Sequence, residues 1–259
     1  MDQPLVMLVV GLAAGVLSGM FGIGGGVVIV PILTMLGFGL QEAVGTSLAA
    51  LLMPVGIFAA IAYYRAGKLK IATAVWVALG LAAGAILGAQ IAIGLDPKLI
   101  QKAYAVFLIY VGWRFAEPRK WWAEYRSATP RQEAPASEPR HAEWYILFAL
   151  GVLAGILSGL FGIGGGIIIV PALVGLLHFD QKLAGGTSLG ALLLPVGLGA
   201  AVSYYQAGML NVNAAALVAL GLTIGAFGGA RLALRMSSAM VKRLYGVFLL
   251  LVAIRFLFF

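Results

Sequence analysis

Two runs of three glycines are the first candidates for a binding site in this sequence. Each closes a repeated phrase that opens with Ser-Gly, starting at Ser18 and again 140 residues later at Ser158. The six residues are Gly24, Gly25, Gly26, Gly164, Gly165 and Gly166. Consecutive glycines disfavour a helix by about 1 kcal/mol each relative to alanine, so each run predicts a break between two helices. The helix after the break begins with free N–H groups and a positive dipole end, which attract an anion.

A Thr-Ser pair follows each glycine run and adds hydroxyl groups. The four residues are Thr46, Ser47, Thr187 and Ser188. Hydroxyls donate hydrogen bonds to anionic oxygens, but Ser and Thr also cap helices or bond to their own backbone, and the sequence leaves both roles open. We predict that the glycine breaks and these hydroxyl pairs together bind a small anionic substrate.

The distribution of charged and metal-ligating residues argues against a proton relay, a metal site and catalysis. No Asp or Glu lies in the middle of an apolar segment, so no carboxylate relay for protons is evident. Arg231 is the one basic residue well inside such a segment, opposite Gln90 in the other half; it is predicted to snorkel to the inner surface or to contact the anion at the inner mouth. The sequence has no cysteine, its two histidines lie in loops, and no acid, base and nucleophile are grouped. We therefore predict no metal, no cofactor and no catalytic residue.

Composition predicts the elements that position these residues. The sequence is 62% hydrophobic and 10% charged, whereas soluble domains carry about 25% charged residues. Several apolar stretches exceed the ~20 residues that cross a bilayer, and the alternating pattern of a membrane barrel is lacking. We therefore predict an all-α polytopic membrane protein surrounded by lipid. Its net charge of +8 comes from short loops and one linker, so no nucleic-acid partner is predicted.

Self-similarity extends along the whole sequence and predicts two repeats, residues 1–115 and 142–259, joined by a solvated linker at 116–141. Each repeat contains about five helical segments, in the first at 5–20, 27–36, 43–65, 71–95 and 98–114, giving around 8–10 spans. The glycine break is either a turn between two thin spans or the tip of a re-entrant hairpin. Both choices put the ends of a repeat on opposite sides of the membrane, so the two repeats are predicted to be inverted.

Two further patterns accompany the repeat. Glycines spaced by four residues, at 11, 15 and 19 and at 80, 84 and 88, predict close packing of helices. Tyrosine pairs end one segment in each repeat and are predicted to form an interfacial belt rather than to contact a ligand. These residues are Tyr63, Tyr64, Tyr204 and Tyr205.

Charges in corresponding loops predict the orientation. The loop at 65–70 carries Arg65, Lys68 and Lys70, whereas its counterpart at 206–211 carries no charge. The positive-inside rule then places the first loop and the linker in the cytoplasm and both termini outside, with Lys98 and Lys102 as exceptions.

The paired motifs, Phe-Gly-Ile-Gly-Gly-Gly with Val-Pro and then Gly-Thr-Ser, resemble those of the sulfite exporter TauE/SafE family, also called the toluene sulfonate uptake permeases. The resemblance covers both repeats. It implies a bacterial or archaeal cytoplasmic-membrane carrier of sulfur-containing anions such as sulfite, thiosulfate, a sulfonate or sulfoacetate. The residues themselves predict an alternating-access anion carrier. They leave open three other functions: a passive channel or uniporter, a carrier of non-sulfur organic anions, or a scaffold subunit. They do not determine the coupling ion or the oligomeric state.

Overall fold

The computed structural model describes residues 3–54, 56–116 and 142–258, so the predicted linker lies almost entirely outside the described residues. Within these ranges the secondary structure is helical, and the predicted all-α class is confirmed. The helices of the first repeat are α1 (Gln3–Phe21), α2 (Gly26–Met35), α3 (Leu40–Ala50), α4 (Ile57–Arg65), α5 (Ile71–Gly94) and α6 (Pro97–Ala116). Those of the second are α7 (Trp144–Phe161), α8 (Gly166–Leu176), α9 (Gln181–Ala191), α10 (Leu198–Gln206), α11 (Val212–Arg235) and α12 (Ser238–Phe258).

Four of these helices, α1, α5, α7 and α11, are long and apolar enough to cross a membrane. The predicted single helix at 43–65 is wrong, because the structure divides it into α3 and α4. Pro54 lies in the interruption, where it has no N–H for a helical bond and its ring would clash with the preceding turn. Its carbonyl instead accepts the N–H of Ile57, which begins α4.

The glycines spaced by four pack helices of different repeats together, as predicted. A Cβ added to Gly11, Gly15 or Gly19 of α1 would overlap backbone carbonyl oxygens of α11, and those on Gly80, Gly84 and Gly88 of α5 would overlap those of α7. In both pairs the contacts advance along the two chains in the same direction, so α1 is parallel to α11 and α5 is parallel to α7. Each long helix is thus paired with a helix of the other repeat.

Polar contacts define the two ends of the molecule. At the start of α5, Lys68 Nζ lies 2.7 Å from Asp180 Oδ2; we call this the Lys68 end. At the finish of α5, Gln41 Nε2 donates to the carbonyl of Ala92 over 2.9 Å; we call this the Gln41 end. Because α5 has 24 residues and rises ~1.5 Å per residue, the two ends are ~36 Å apart.

Corresponding turns of the two repeats lie at opposite ends. The turn between α2 and α3 precedes Gln41 and lies at the Gln41 end, whereas the equivalent turn between α8 and α9 contains Asp180 and lies at the Lys68 end. Lys182 Nζ also donates to the carbonyl of Leu234 (3.2 Å), so α11 finishes at the Lys68 end and runs opposite to α5. This is the arrangement that inverted repeats require.

The glycine break forms the tip of a re-entrant hairpin. Helix α1 starts at the Gln41 end with its partner α11, and α2 returns to the turn that precedes Gln41. Between them, a Cβ on Gly25 would lie 2.8 Å from Cδ1 of Leu222, halfway along α11. Since α3 and α4 together run from one end to the other, each repeat contains one hairpin, one interrupted helical path between the two ends and one continuous long helix, α5 or α11.

Candidate functional site

The two hairpin tips touch at the centre of the molecule. A Cβ on Gly24 would lie 3.7 Å from Cα of Gly164, and one on Gly164 would lie 3.8 Å from Cα of Gly24. Gly24, Gly25, Gly164 and Gly165 all have φ between 72° and 85°, a region that glycine enters without the steric penalty of a side chain. The predicted helix breaks are therefore confirmed, and the fold brings them together.

Four helix N-termini converge at this point. Helices α2 and α8 begin at the tips, and α4 and α10 begin after the interruptions in the crossings, next to Gly56 and Gly197, which line the same central cavity as Gly24 and Gly164. The residue that precedes each of these helices is a glycine, and no side chain caps any of the four. Their positive dipole ends and first N–H groups therefore lack side-chain partners.

Ser47 and Ser188 fasten each tip to the opposite repeat. Ser47 Oγ donates to the carbonyl of Gly162 (2.8 Å), and Ser188 Oγ donates to the carbonyl of Gly22 (2.7 Å). Both serines are fully buried. A hydroxyl has a single proton to donate, and here the protein itself accepts it. Their predicted donation to an anion stays a prediction, while their observed contacts hold the tips in place.

Thr46 and Thr187 tie the repeats together farther from the centre. Thr46 Oγ1 accepts the N–H of Asn211 (3.0 Å), and Thr187 Oγ1 accepts the N–H of Lys70 (3.1 Å). Asn211 and Lys70 immediately precede α11 and α5, so these bonds satisfy N–H groups at the ends of the two long helices. Neither threonine lines the central cavity.

Two tyrosines bond to the carbonyl ends of the hairpin helices. Tyr63 Oη donates to the carbonyl of Gly19 (3.1 Å), and Tyr204 Oη donates to that of Gly159 (2.9 Å). Both rings are buried, so the interfacial-belt prediction is wrong for them; their neighbours Tyr64 and Tyr205 are 59% and 64% exposed. Tyrosine identity alone does not say which ring of each pair turns inward.

The electrostatic balance at the centre follows from these contacts. Hydroxyl groups of Ser47, Ser188, Tyr63 and Tyr204 donate to carbonyls near the C-terminal ends of α1 and α7. The four N-termini receive no side-chain acceptor in return. Negative helix ends thus receive side-chain donors, whereas the positive ends receive only backbone acceptors, a distribution that favours an anion over a cation.

A small cavity of ≈ 20 Å³ lies between the tips. Such a volume holds about one water molecule. Apart from glycine, its walls are aliphatic except for Ser18 and Ser158, each 2% exposed. Within the described part of the chain neither serine hydroxyl has a hydrogen-bond partner. We did not predict these two residues as site residues, although both open the repeated glycine phrase.

Arg231 and Gln90 lie away from the cavity. Both are on exposed faces of their helices, and the guanidinium of Arg231 stacks over Phe227, 4.1 Å from the ring centroid. A contact of this kind holds the side chain along the outer surface of α11. Their predicted role at the mouth of a pathway stays a prediction.

The Lys68 end carries a partly buried ion pair between the repeats. Burial raises the pKa of the Asp180 carboxyl, but the hydrogen bond and charge of Lys68, together with the N–H groups of Leu183 and Lys182, outweigh this and bring the pKa below its ordinary value. The equivalent positions at the Gln41 end are Met209 and Gly39, which carry no charge. The two ends are therefore joined by different chemistry.

The described residues offer no candidate metal centre, because no group of three or more acidic or histidine side chains lies close enough to share an ion. What the fold and the site define is a multi-pass helical membrane protein with a polar break at its centre.

Comparison with known proteins identifies the family. The profile of the sulfite exporter TauE/SafE family matches residues 7–256, and the chain belongs to this family. It is 29% identical over 241 residues to the probable membrane transporter protein YunE of Bacillus subtilis, covering 88% of this chain and 86% of YunE. It is 30% identical over 210 residues to the probable membrane transporter protein MJ0441 of Methanocaldococcus jannaschii, covering 78% of this chain and 72% of MJ0441. A probable membrane transporter protein of Haemophilus influenzae is 28% identical over 281 residues, covering 96% of both. No solved structure matches the chain.

Proposed function

We propose that this protein is a secondary transporter that carries a small anion through the central site by alternating access. The observation that carries the proposal is the convergence of four glycine-capped helix N-termini on one central cavity. Bare backbone N–H groups take the place of the anion's water, as occurs where broken helices meet at a transport site. Family membership and the names of the relatives support transport as the activity.

The arrangement of the repeats supports alternating access. Each tip is held by one serine of the other repeat, so a movement of one repeat against the other changes both tips together. The Lys68–Asp180 pair closes one end, which the positive-inside rule assigns to the cytoplasm together with the linker. Both termini then lie outside, and the membrane is the bacterial or archaeal cytoplasmic membrane.

A sulfur-containing anion is the substrate that family membership favours, with sulfite, thiosulfate, sulfonates and sulfoacetate as candidates. The aliphatic walls of the cavity and the lack of a basic side chain on them fit an anion recognised by neutral donors. Glycines 24–26 and 164–166 supply the backbone N–H groups of this proposed site.

Transport by reconstituted protein tests the proposal. Purified protein in liposomes is assayed for uptake of radiolabelled sulfite, thiosulfate and taurine, with acetate and potassium ions as comparisons. A carrier gives saturable uptake of an anion and accelerated uptake into vesicles preloaded with the same anion. Linear uptake without this counterflow identifies a passive channel instead, acetate as the sole substrate contradicts the sulfur assignment, and uptake of potassium alone overturns anion transport.

A further inference from the structure

We propose that the hydroxyls of Ser18 and Ser158 are the side-chain donors that bind the transported anion, one from each repeat. This inference rests on the proposed function and names residues for its site. Neither the glycine breaks nor the Thr-Ser pairs include them, and the structure brings them together on the wall of one cavity.

Burial without a partner is the first reason. Each serine is 2% exposed and lines the cavity, yet neither hydroxyl has a hydrogen-bond partner among the described residues. Buried hydroxyls usually find a partner, because leaving one unpaired costs free energy. Ser47 and Ser188 satisfy this requirement with carbonyls, whereas Ser18 and Ser158 line the cavity, where a molecule inside it can serve as the partner.

Position is the second reason. Ser18 lies in the last turn of α1, where its carbonyl accepts the N–H of Gly22 (2.7 Å), and Ser158 is placed in the same way before Gly162 (2.8 Å). Both serines line the cavity that Gly24, Gly164 and the residues before α4 and α10 also border. Donors from both repeats and positive helix ends share one small volume.

Symmetry sets the chemistry of the ligand. The two serines occupy equivalent positions of the two repeats, so a ligand that satisfies both must accept at least two hydrogen bonds. Sulfite, a sulfonate group and a carboxylate can accept them on separate oxygens, which suits donors that come from opposite repeats. A cation would prefer anionic side chains, and the described residues that line the cavity include no carboxylate.

The size of the cavity means that the protein must move before an oxyanion can bind. A volume of ≈ 20 Å³ holds about one water, so an oxyanion fits only after the tips move apart. Binding to the two serines is thereby coupled to separation of the repeats, which is the movement that transport needs.

The test compares Ser18→Ala, Ser158→Ala and the double variant with wild type and with Ser203→Ala. Ser203 is the matched control, because its hydroxyl bonds to the carbonyl of Gly199 within its own helix (3.0 Å). Thermal unfolding of each purified protein is followed without added anion and in titrations with sodium sulfite, sodium thiosulfate and sodium acetate. A bound anion stabilises the folded state by mass action.

We expect each alanine variant to unfold close to the wild-type temperature or above it without anion, because the substitution removes no hydrogen bond within the described part of the protein. For any anion that stabilises wild type, each single variant should raise the apparent Kd by about ten-fold or more, the usual effect of losing a hydrogen bond to a charged group. Ser203→Ala should bind as wild type does. Ser18→Cys, which keeps a polar hydrogen but donates weakly, should lose affinity as alanine does.

The outcomes separate the two proposals. Wild type that responds to none of the three anions, nor transports one, overturns the proposed function and this inference with it. Wild type that responds, together with alanine variants whose Kd equals that of Ser203→Ala, overturns only the role of the serines. A variant that unfolds at a lower temperature without anion and binds normally also contradicts it, because the hydroxyl would then have a structural role.

Discussion

The contact between Ser47 and the carbonyl of Gly162 gives a quantitative prediction about what holds the hairpin tips. The bond is 2.8 Å long, joins the two repeats and is fully buried at the serine. Gly162 lies beyond the last residue of α7, so the helix supplies no N–H for its carbonyl. Replacing Ser47 with alanine leaves a buried carbonyl without its donor.

The expected loss is about 1–3 kcal/mol of folding free energy, the cost of an unsatisfied buried group. For proteins of about this size each kcal/mol corresponds to roughly 2–4 °C in Tm, so Ser47→Ala should unfold roughly 2–12 °C below wild type. Ser188→Ala should behave similarly, because Ser188 makes the equivalent bond of 2.7 Å to Gly22. If the two bonds act independently, their effects add in the double variant.

Thermal unfolding in detergent, followed by circular dichroism, measures these shifts, and Ser203→Ala again serves as the control. Loss of the Ser203 hydroxyl leaves Gly199 within a continuous helix, so the Tm should change by no more than roughly 2 °C, as for a weak local bond. A Tm for Ser47→Ala equal to that of the control would refute the reasoning, since the bond between repeats would then contribute nothing. Together with Ser18→Ala, which should keep or raise the Tm, these variants distinguish serines that hold the protein together from serines that bind the anion.

Three further predictions concern packing, charge and backbone. Gly84→Leu should prevent α5 from packing on α7, because even a Cβ would overlap the carbonyl of Val152; the variant should be recovered aggregated, and a monodisperse elution profile would contradict this. Asp180→Asn should lower the Tm at neutral pH. The pKa of Asp180 is lower in the folded protein, so its stabilising effect is present above the ordinary value of 3.8 and disappears as pH falls through the folded pKa. A Tm difference between variant and wild type that does not shrink as the pH is lowered below 3.8 would count against it. Gly24→Ala should slow anion uptake in liposomes, because φ is 81° and a Cβ would lie 2.9 Å from Leu192; unchanged uptake would argue against a strained tip.

Local features of the site were predictable from the sequence because they depend on the nature of the backbone. Three consecutive glycines break a helix wherever they occur, and Gly25 and Gly165 indeed precede helix starts. Glycines spaced by four mark a helix face without side chains, and these faces are the ones in contact. Composition alone required helices that cross a bilayer.

Side-chain direction was not predictable, because it depends on how each helix is rotated against its neighbours. Ser47 and Ser18 both lie in motifs that the two repeats share, yet the Ser47 hydroxyl meets a carbonyl and the Ser18 hydroxyl meets the cavity. Tyr63 turns inward and Tyr64 outward for the same reason, since adjacent residues of a helix point about 100° apart.

The sequence by itself therefore determined that the protein lies in a lipid bilayer, that it is built from two repeats and where the backbone breaks occur. All three follow from residue type and spacing. Only the tertiary structure decided that the breaks are hairpin tips rather than turns between spans, that they touch through Gly24 and Gly164, and which hydroxyls remain available there. These properties arise from contacts between residues more than one hundred positions apart, such as Ser47 with Gly162. No pattern within a single helix contains that information.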